Sequence, residues 1–291
     1  MAMQLKTEIG KLIDIGIEED AVERDCTTLA CTGENLTAIA EVILQEKAKV
    51  AGLIFIPWIF EKVDPSMKIT TLVEEGEDCE EGTVLFRLEG KARTLLSIER
   101  LLLNILQHTS GIATKTAKFV KAVEGYPCEI LDTRKTLPGL RMLQKYAVQV
   151  GGGKNHRFNL SDLVLIKDNH LAMLESEGHF GVGAAIQKVR SLDEKTPIEV
   201  EVENLEMLKE ALEAKPERIL LDNMEIPMLQ EAVALARGKA YLEASGGITL
   251  ETVRSYASTG VNGVSVGALT HSIAAVNMSM SMQVCSHSSC G

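Results

Sequence analysis

No apolar run in this sequence is long enough to cross a membrane: the longest, such as residues 50–60, fall well short of the roughly 20 residues a helical span needs. The opening MAMQLKTEIGKLIDIGIEED lacks the apolar centre of a secretory signal, so the expectation is a cytoplasmic protein. Cysteine is sparse and unpatterned. Its six positions, Cys26, Cys31, Cys79, Cys128, Cys285 and Cys290, show no metal-ligand spacing, and reduced thiols are expected. The tail Cys285-Ser-His287-Ser-Ser-Cys290 comes nearest to a ligand set, but its serine-rich flanks suit a disordered end. Positive charge is also short: 30 Lys and Arg face 41 Asp and Glu, a net −11, which argues against a broad nucleic-acid-binding face. What is present is apolar residue, 45% over 291 positions, enough for one large core or two ordinary ones.

Within this acidic chain one stretch stands apart, residues 132–170. From Arg134 to Lys167 there are seven cations (Arg134, Lys135, Arg141, Lys145, Lys154, Arg157, Lys167) against one acid, Asp162. So local an excess suits a pocket for a small polyanion, although charge runs can equally be solvated helix faces.

From about residue 125 short apolar strands alternate with amphipathic stretches, the pattern of a parallel sheet with crossover helices. The expected strands are residues 129–132, 163–168, 198–203, 218–222, 240–244 and 262–267. The last four start 20 to 22 residues apart, one strand and one helix per step, which favours a β/α barrel over a doubly wound sheet. Before residue 110, strands at 36–40, 51–56, 68–73 and 83–89 precede a helix at 91–109, which reads as a separate α+β domain. The expected division is a sandwich domain at 1–110 and a barrel domain at 111–274, with residues 275–291 free to pack back on the first.

Chemistry-bearing residues gather at the strand ends, where barrel enzymes carry their sites. They are Asp132 with Arg134 and Lys135, Lys167 and Asp168, Glu201 and Glu203, Asp222 and Asn223, Glu243 and Ser245, and Gly267. Alternation in Ile198-Glu-Val-Glu-Val-Glu203 puts Glu199, Glu201 and Glu203 on one face, either toward a polar site or, on an edge strand, toward water. Ser245-Gly246-Gly247 and Gly267-Ala268 follow the last two strands, where phosphate-binding barrels present backbone N–H groups to phosphate. Gly151-Gly-Gly-Lys154 lacks the spacing of a P-loop. Arg134, Arg157 and Arg100 offer planar forks for carboxylate or phosphate, whereas Lys135 and Lys167 are compact charges. His156 suits an anion donor or a structural role, and Arg100 a ligand contact or an ion pair with Glu99.

The segments Asp132-Thr-Arg-Lys-Thr-Leu-Pro-Gly-Leu-Arg141, Gly151-Gly-Gly-Lys-Asn-His-Arg157, Leu165-Ile-Lys-Asp-Asn-His170, Glu199-Val-Glu-Val202, Leu220-Leu-Asp-Asn223, Ser245-Gly-Gly247 and Val266-Gly-Ala-Leu-Thr-His-Ser272, with Glu99-Arg100 and Ser110-Gly-Ile-Ala113, resemble the quinolinate phosphoribosyltransferases. The resemblance implies an incomplete parallel β/α barrel with an N-terminal α+β sandwich. It implies transfer of the phosphoribosyl group from phosphoribosyl pyrophosphate to quinolinate with decarboxylation, using Mg2+, in NAD biosynthesis. It further implies a homodimer in which Arg100 completes the neighbouring site, with assembly into hexamers left open, and no nucleic-acid or membrane partner. By the same resemblance Thr133, Arg134, Lys135, His156, Arg157 and Lys167 line the quinolinate pocket. Glu201 and Asp222 serve the ribose and metal side, and Ser245, Gly246, Gly247, Val266, Gly267 and Ala268 cradle phosphate. The implied catalytic group is Lys135, Lys167, Glu201 and Asp222. The residues 277–291 depart from the family pattern. Two other readings stay open on the residues themselves, a Schiff-base aldolase using Lys167 and a non-catalytic phosphate-ligand sensor.

Overall fold

The computed structural model describes residues 2–285, and the tail reading centred on His287 and Cys290 lies outside them. The described strands, in chain order, are β1 (Thr37–Leu44), β2 (Ala48–Lys49), β3 (Lys68–Thr71), β4 (Asp78–Cys79), β5 (Val84–Lys91), β6 (Glu129–Leu131), β7 (Val164–Ile166), β8 (Ile198–Val202), β9 (Arg218–Asp222), β10 (Tyr241–Ser245), β11 (Gly263–Ser265) and β12 (Met278–Val284). The chain divides into two compact units. Among the described residues the first holds 2–117, 136–152 and 272–285, the second 118–135 and 153–271.

In the first unit an antiparallel sheet runs in the order β12-β1-β5-β3. Along β1 every second side chain (Ala38, Ala40, Val42, Leu44) is buried, so the sheet has one packed face. The long helix Ala92–Ala122 contributes Leu95, Ile98, Leu102 and Leu106 to the same core, at the three- and four-residue steps of a helical stripe. Residues 51–56, expected as a strand, form instead a short 3-10 turn, Leu53–Phe55, leading into the helix Ile56–Val63. Gly52 at φ 102 makes the turn, and Glu75 accepts the backbone N–H of Gly52 at 2.6 Å.

The unit boundaries differ from the expected 1–110 and 111–274. The helix Arg141–Val150 belongs to the first unit because Leu143 is part of its core, and Tyr146 packs against Phe55. Three of the seven clustered cations leave the expected pocket: Arg141 donates to Thr136, Lys145 is wholly buried, and Lys154 bridges to Leu131. Residues 278–284 form β12, the edge strand beside β1.

The second unit is a six-stranded parallel sheet in the order β6-β11-β10-β9-β8-β7. Strands β7 to β11 are neighbours in sequence order, and β11 then pairs back to β6, so the order is cyclic with one seam between β6 and β7. A doubly wound sheet reverses direction at a switch point; this one does not, and it is an incomplete β/α barrel. Lys154 adds a single bridge beside Leu131 on the free side of β6.

Candidate active site

Parallel register stacks inward-facing side chains in layers, because partners on adjacent strands point to the same face. The deepest layer aligns Glu199, Arg218 and Tyr241, the next Glu201, Leu220 and Glu243, and the last Asp222 and Ser245. The alternation that groups Glu199 with Glu201 in sequence thus separates them by depth. Glu199 is wholly buried, Glu201 lies at the wall of a cavity, and Glu203 is exposed.

That cavity, about 810 Å3 in volume, opens at the C-terminal ends of the barrel strands. Thr133, Arg134 and Lys135 enter after β6, His156 and Arg157 after the Lys154 bridge, Lys167 after β7, and Glu201 from β8. Asp222 comes from β9, Ser245, Gly246 and Gly247 from the end of β10, and Val266, Gly267 and Ala268 from beyond β11. Every expected site residue except Arg100 lines this one space. Arg100 belongs to the first unit, on the long helix, with its side chain 62% exposed and Nη2 4.0 Å from Glu99 Oε1. Asn223 and Glu243, read from the sequence as strand-end residues but given no role there, also line the cavity, as do Ile248, Thr249, Ser265 and His271, which were not read as site residues, although His271 lies within a quoted motif.

Local bonds hold the cations in place. Thr133 Oγ1 accepts from Lys135 N–H at 3.0 Å, and Thr270 Oγ1 donates to Lys135 O at 2.8 Å. A Cβ on Gly267 would meet Lys135 Cδ at 3.0 Å, so glycine there gives the lysine stem room. Arg157 Nη1 donates to Leu163 O at 2.9 Å; burial, and then the neighbouring Arg134 charge, lower the pKa of its guanidinium. Lys167 Nζ stands 2.5 Å from Glu201 Oε2, an ion pair rather than the free amine a Schiff-base nucleophile requires.

Beneath the cavity sits a buried polar cluster. The carboxylate of Asp132, wholly buried, accepts the backbone N–H of His156 at 2.8 Å. His156 Nδ1 accepts from Arg157 N–H at 2.8 Å, so the ring proton resides on Nε2, 2.7 Å from Glu199 Oε2. Of the two roles the sequence left open for His156, anion donor or structural residue, the structural one fits, since both ring nitrogens are engaged within the protein. Arg218 Nη2 stands 2.5 Å from Glu243 Oε2, and its Nε lies 3.5 Å from Glu199 Oε1. Burial raises both carboxyls. At Glu199 the His156 and Arg218 contacts reverse this and hold it below the usual carboxylate range, whereas burial and the charge of Glu199 push Glu243 up to about 7. His156, Glu199 and Glu243 bring three ligand atoms within 4.8 Å of one another, but Arg218 already supplies the positive charge a metal would bring. On the cavity side, Glu201 and Asp222 are oxygen donors of the kind Mg2+ takes alongside substrate phosphates.

Comparison with known proteins agrees in order along the chain. Residues 25–110 match the family model described as quinolinate phosphoribosyl transferase, N-terminal domain, and residues 112–281 match its C-terminal domain. The carboxylating nicotinate-nucleotide pyrophosphorylase of Mycobacterium leprae is 41% identical over 263 residues, covering 89% of this chain and 91% of that one. The chloroplastic carboxylating enzyme of the same name from Oryza sativa subsp. japonica is 39% identical over 293 residues, covering 94% and 77%. Among solved structures, the nicotinate-nucleotide pyrophosphorylase of Francisella tularensis superposes with a TM-score of 0.89 at 37% identity, covering 96% and 97% of the two chains. NadC from Streptococcus pyogenes gives 0.91 at 34% identity, covering 96% and 98%.

Proposed function

The chain belongs to the quinolinate phosphoribosyltransferase family, and we infer from that membership and from its cavity how it works on two anionic substrates. The enzyme transfers the phosphoribosyl group of phosphoribosyl pyrophosphate to quinolinate with loss of CO2, giving nicotinate mononucleotide and pyrophosphate for NAD biosynthesis. The observation that carries the reading is one cavity lined by Arg134, Lys135, Arg157 and Lys167 together with the glycine loops after β10 and β11. Quinolinate is a dianion and its co-substrate carries several phosphate charges. Binding both out of bulk water needs several fixed cations, and the strand ends supply them.

In this reading the forked guanidinium groups of Arg134 and Arg157 orient the quinolinate carboxylates, with Thr133 and the floor residue His156 shaping the pocket. Lys135 and Lys167 add compact charge to the same quinolinate pocket. Ser245, Gly246, Gly247, Val266, Gly267 and Ala268 hold phosphate on backbone N–H groups. The bond from the ribose carbon to pyrophosphate breaks as the pyridine nitrogen bonds to that carbon. The passing oxocarbenium-like charge is met by Glu201 and Asp222. The carboxylate leaves as CO2, the electron pair of its broken bond stays on C2, stabilised by the adjacent ring nitrogen that is now cationic, and that pair then takes a proton. No covalent enzyme intermediate forms. Glu201 and Asp222 are the protein oxygens that would hold Mg2+ together with substrate oxygens, and the bound ion would supply charge neutralisation for the leaving pyrophosphate.

Arg100 fits this account as a donated residue: in a homodimer it completes the neighbouring site, and whether dimers join into hexamers does not alter that contribution. A cytoplasmic setting belongs to the same proposal. The free thiols of Cys26, Cys31, Cys79, Cys128 and Cys285 suit a reducing compartment, and cell fractionation tests it. No described helix is long and apolar enough to cross a membrane. The pocket assignment is tested with Arg134→Ala and Lys135→Ala: each should lower kcat/KM for quinolinate by about 100-fold or more. Wild-type kcat/KM in either variant contradicts it.

A further inference from the structure

Glu201 and Asp222 differ in what holds them. Glu201 is gripped by the Lys167 ammonium. Asp222, the last residue of β9, receives a neutral donor, Asn223 Nδ2, at 2.6 Å from Oδ2. A lysine offsets part of the carboxylate charge at close range, whereas an amide fixes the rotamer and leaves the charge in place.

The backbone at Asn223 is itself unusual. Among the described residues four non-glycines have positive φ, and of these only Asn223, at φ 51, lines the cavity. Two of the others, Lys215 and Arg237, merely close helices. Asparagine enters the left-handed region more readily than other side-chain-bearing residues. In that conformation Asn223 N–H donates to Ser245 O at 2.9 Å, and its side chain lies on Gly246. A Cβ on Gly246 would sit 2.2 Å from Asn223 Oδ1 and 3.0 Å from its Cα, and Gly246 has φ 113, so both backbone and space demand glycine. Asn223 thus ties the end of β9 to the loop after β10.

We propose that Asn223 is a positioning residue for phosphoribosyl pyrophosphate, its amide setting the Asp222 carboxylate without neutralising it and its seat on Gly246 fixing that carboxylate relative to the phosphate loop. The proposal rests on the reading of Asp222 as the ribose-side carboxylate.

Steady-state kinetics and thermal melting of Asn223→Gly, Asn223→Ala, Asn223→Asp and Asp222→Asn test it. Asn223→Gly keeps the positive φ and removes only the amide. Its KM for phosphoribosyl pyrophosphate should rise about tenfold, the loss of one hydrogen bond to a charged group, with the quinolinate KM within about twofold and Tm near wild type. Asn223→Ala should show the same kinetic change and a lower Tm, because alanine is strained at this φ. Asn223→Asp, which sets a like charge beside Asp222, should raise that KM further. An Asn223→Gly enzyme with wild-type KM for phosphoribosyl pyrophosphate, or with both KM values raised alike, overturns the proposal. The Asp222→Asn enzyme separates the two levels. If it is crippled while Asn223→Gly is normal, only the positioning role fails; if it is itself normal, the reading of Asp222 fails first.

Discussion

Replacing Glu199 by alanine probes the buried cluster under the cavity. Glu199 has no exposed surface, and its carboxylate faces His156 Nε2 at 2.7 Å and Arg218 Nε at 3.5 Å. Alanine removes the acceptor for the His156 proton, leaves part of the Arg218 charge uncompensated, and opens a void where a full side chain had been. Breaking a buried ion pair from one side costs about 3–5 kcal/mol, because the surviving partner stays desolvated. At about 2–4 °C per kcal/mol for a chain of this size, Tm should fall by about 6–20 °C. Glu199→Gln keeps the volume and a carbonyl oxygen for His156 and loses only the charge toward Arg218, so its Tm should fall by roughly half as much. Scanning calorimetry of the purified proteins reads both. Glu199→Ala melting within about 2 °C of wild type, or Glu199→Gln as damaging as Glu199→Ala, refutes the assignment of a charge-bearing structural cluster.

Two further outcomes follow from the geometry. Glu243 titrates in the folded chain near 7 against an ordinary 4.5, so the folded state holds an extra proton between those values. Its stabilising contribution is complete below about pH 4.5 and is lost as pH rises through about 7; Glu243→Gln, neutral throughout, should flatten that part of the urea-midpoint profile, and an unchanged slope contradicts it. Arg100→Ala and Lys167→Ala should each be inactive alone. After dissociation and random reassociation about half the dimers are mixed, each with one complete site of two, so about one quarter of wild-type activity should return; no recovery contradicts a donated Arg100.

The barrel was legible because strand and helix alternate at a near-constant step and because the strict alternation around Val200 has the two-residue period of a strand. Residues 51–56 were not. A short apolar run is compatible with strand or helix, and the deciding features were the turn at Gly52 and its contact with Glu75, which sequence distance conceals. The helix Arg141–Val150 was drawn toward the barrel by its place in the chain, yet Leu143 packs in the core of the other unit.

Of the site, the residues at strand ends were readable, since a parallel barrel brings its strand C-termini together whatever the loops do. The floor was not. Glu199, Glu243, Arg218 and His156 come together only through barrel closure and register, and the alternation of Glu199 with Glu201 says nothing of depth. The role of Asn223 was equally hidden, because a left-handed φ at a strand end leaves no periodic trace.

The central claim is that the cationic pocket recognises a second carboxylate and that its loss follows phosphoribosyl transfer. The most direct measurement supplies purified enzyme with phosphoribosyl pyrophosphate, Mg2+ and either quinolinate carrying an isotopic label in its C2 carboxylate or nicotinate. Nicotinate mononucleotide, pyrophosphate and labelled CO2 should form in equal amounts from quinolinate, with no product from nicotinate. Product from nicotinate, or labelled CO2 released without phosphoribosyl pyrophosphate, contradicts the account.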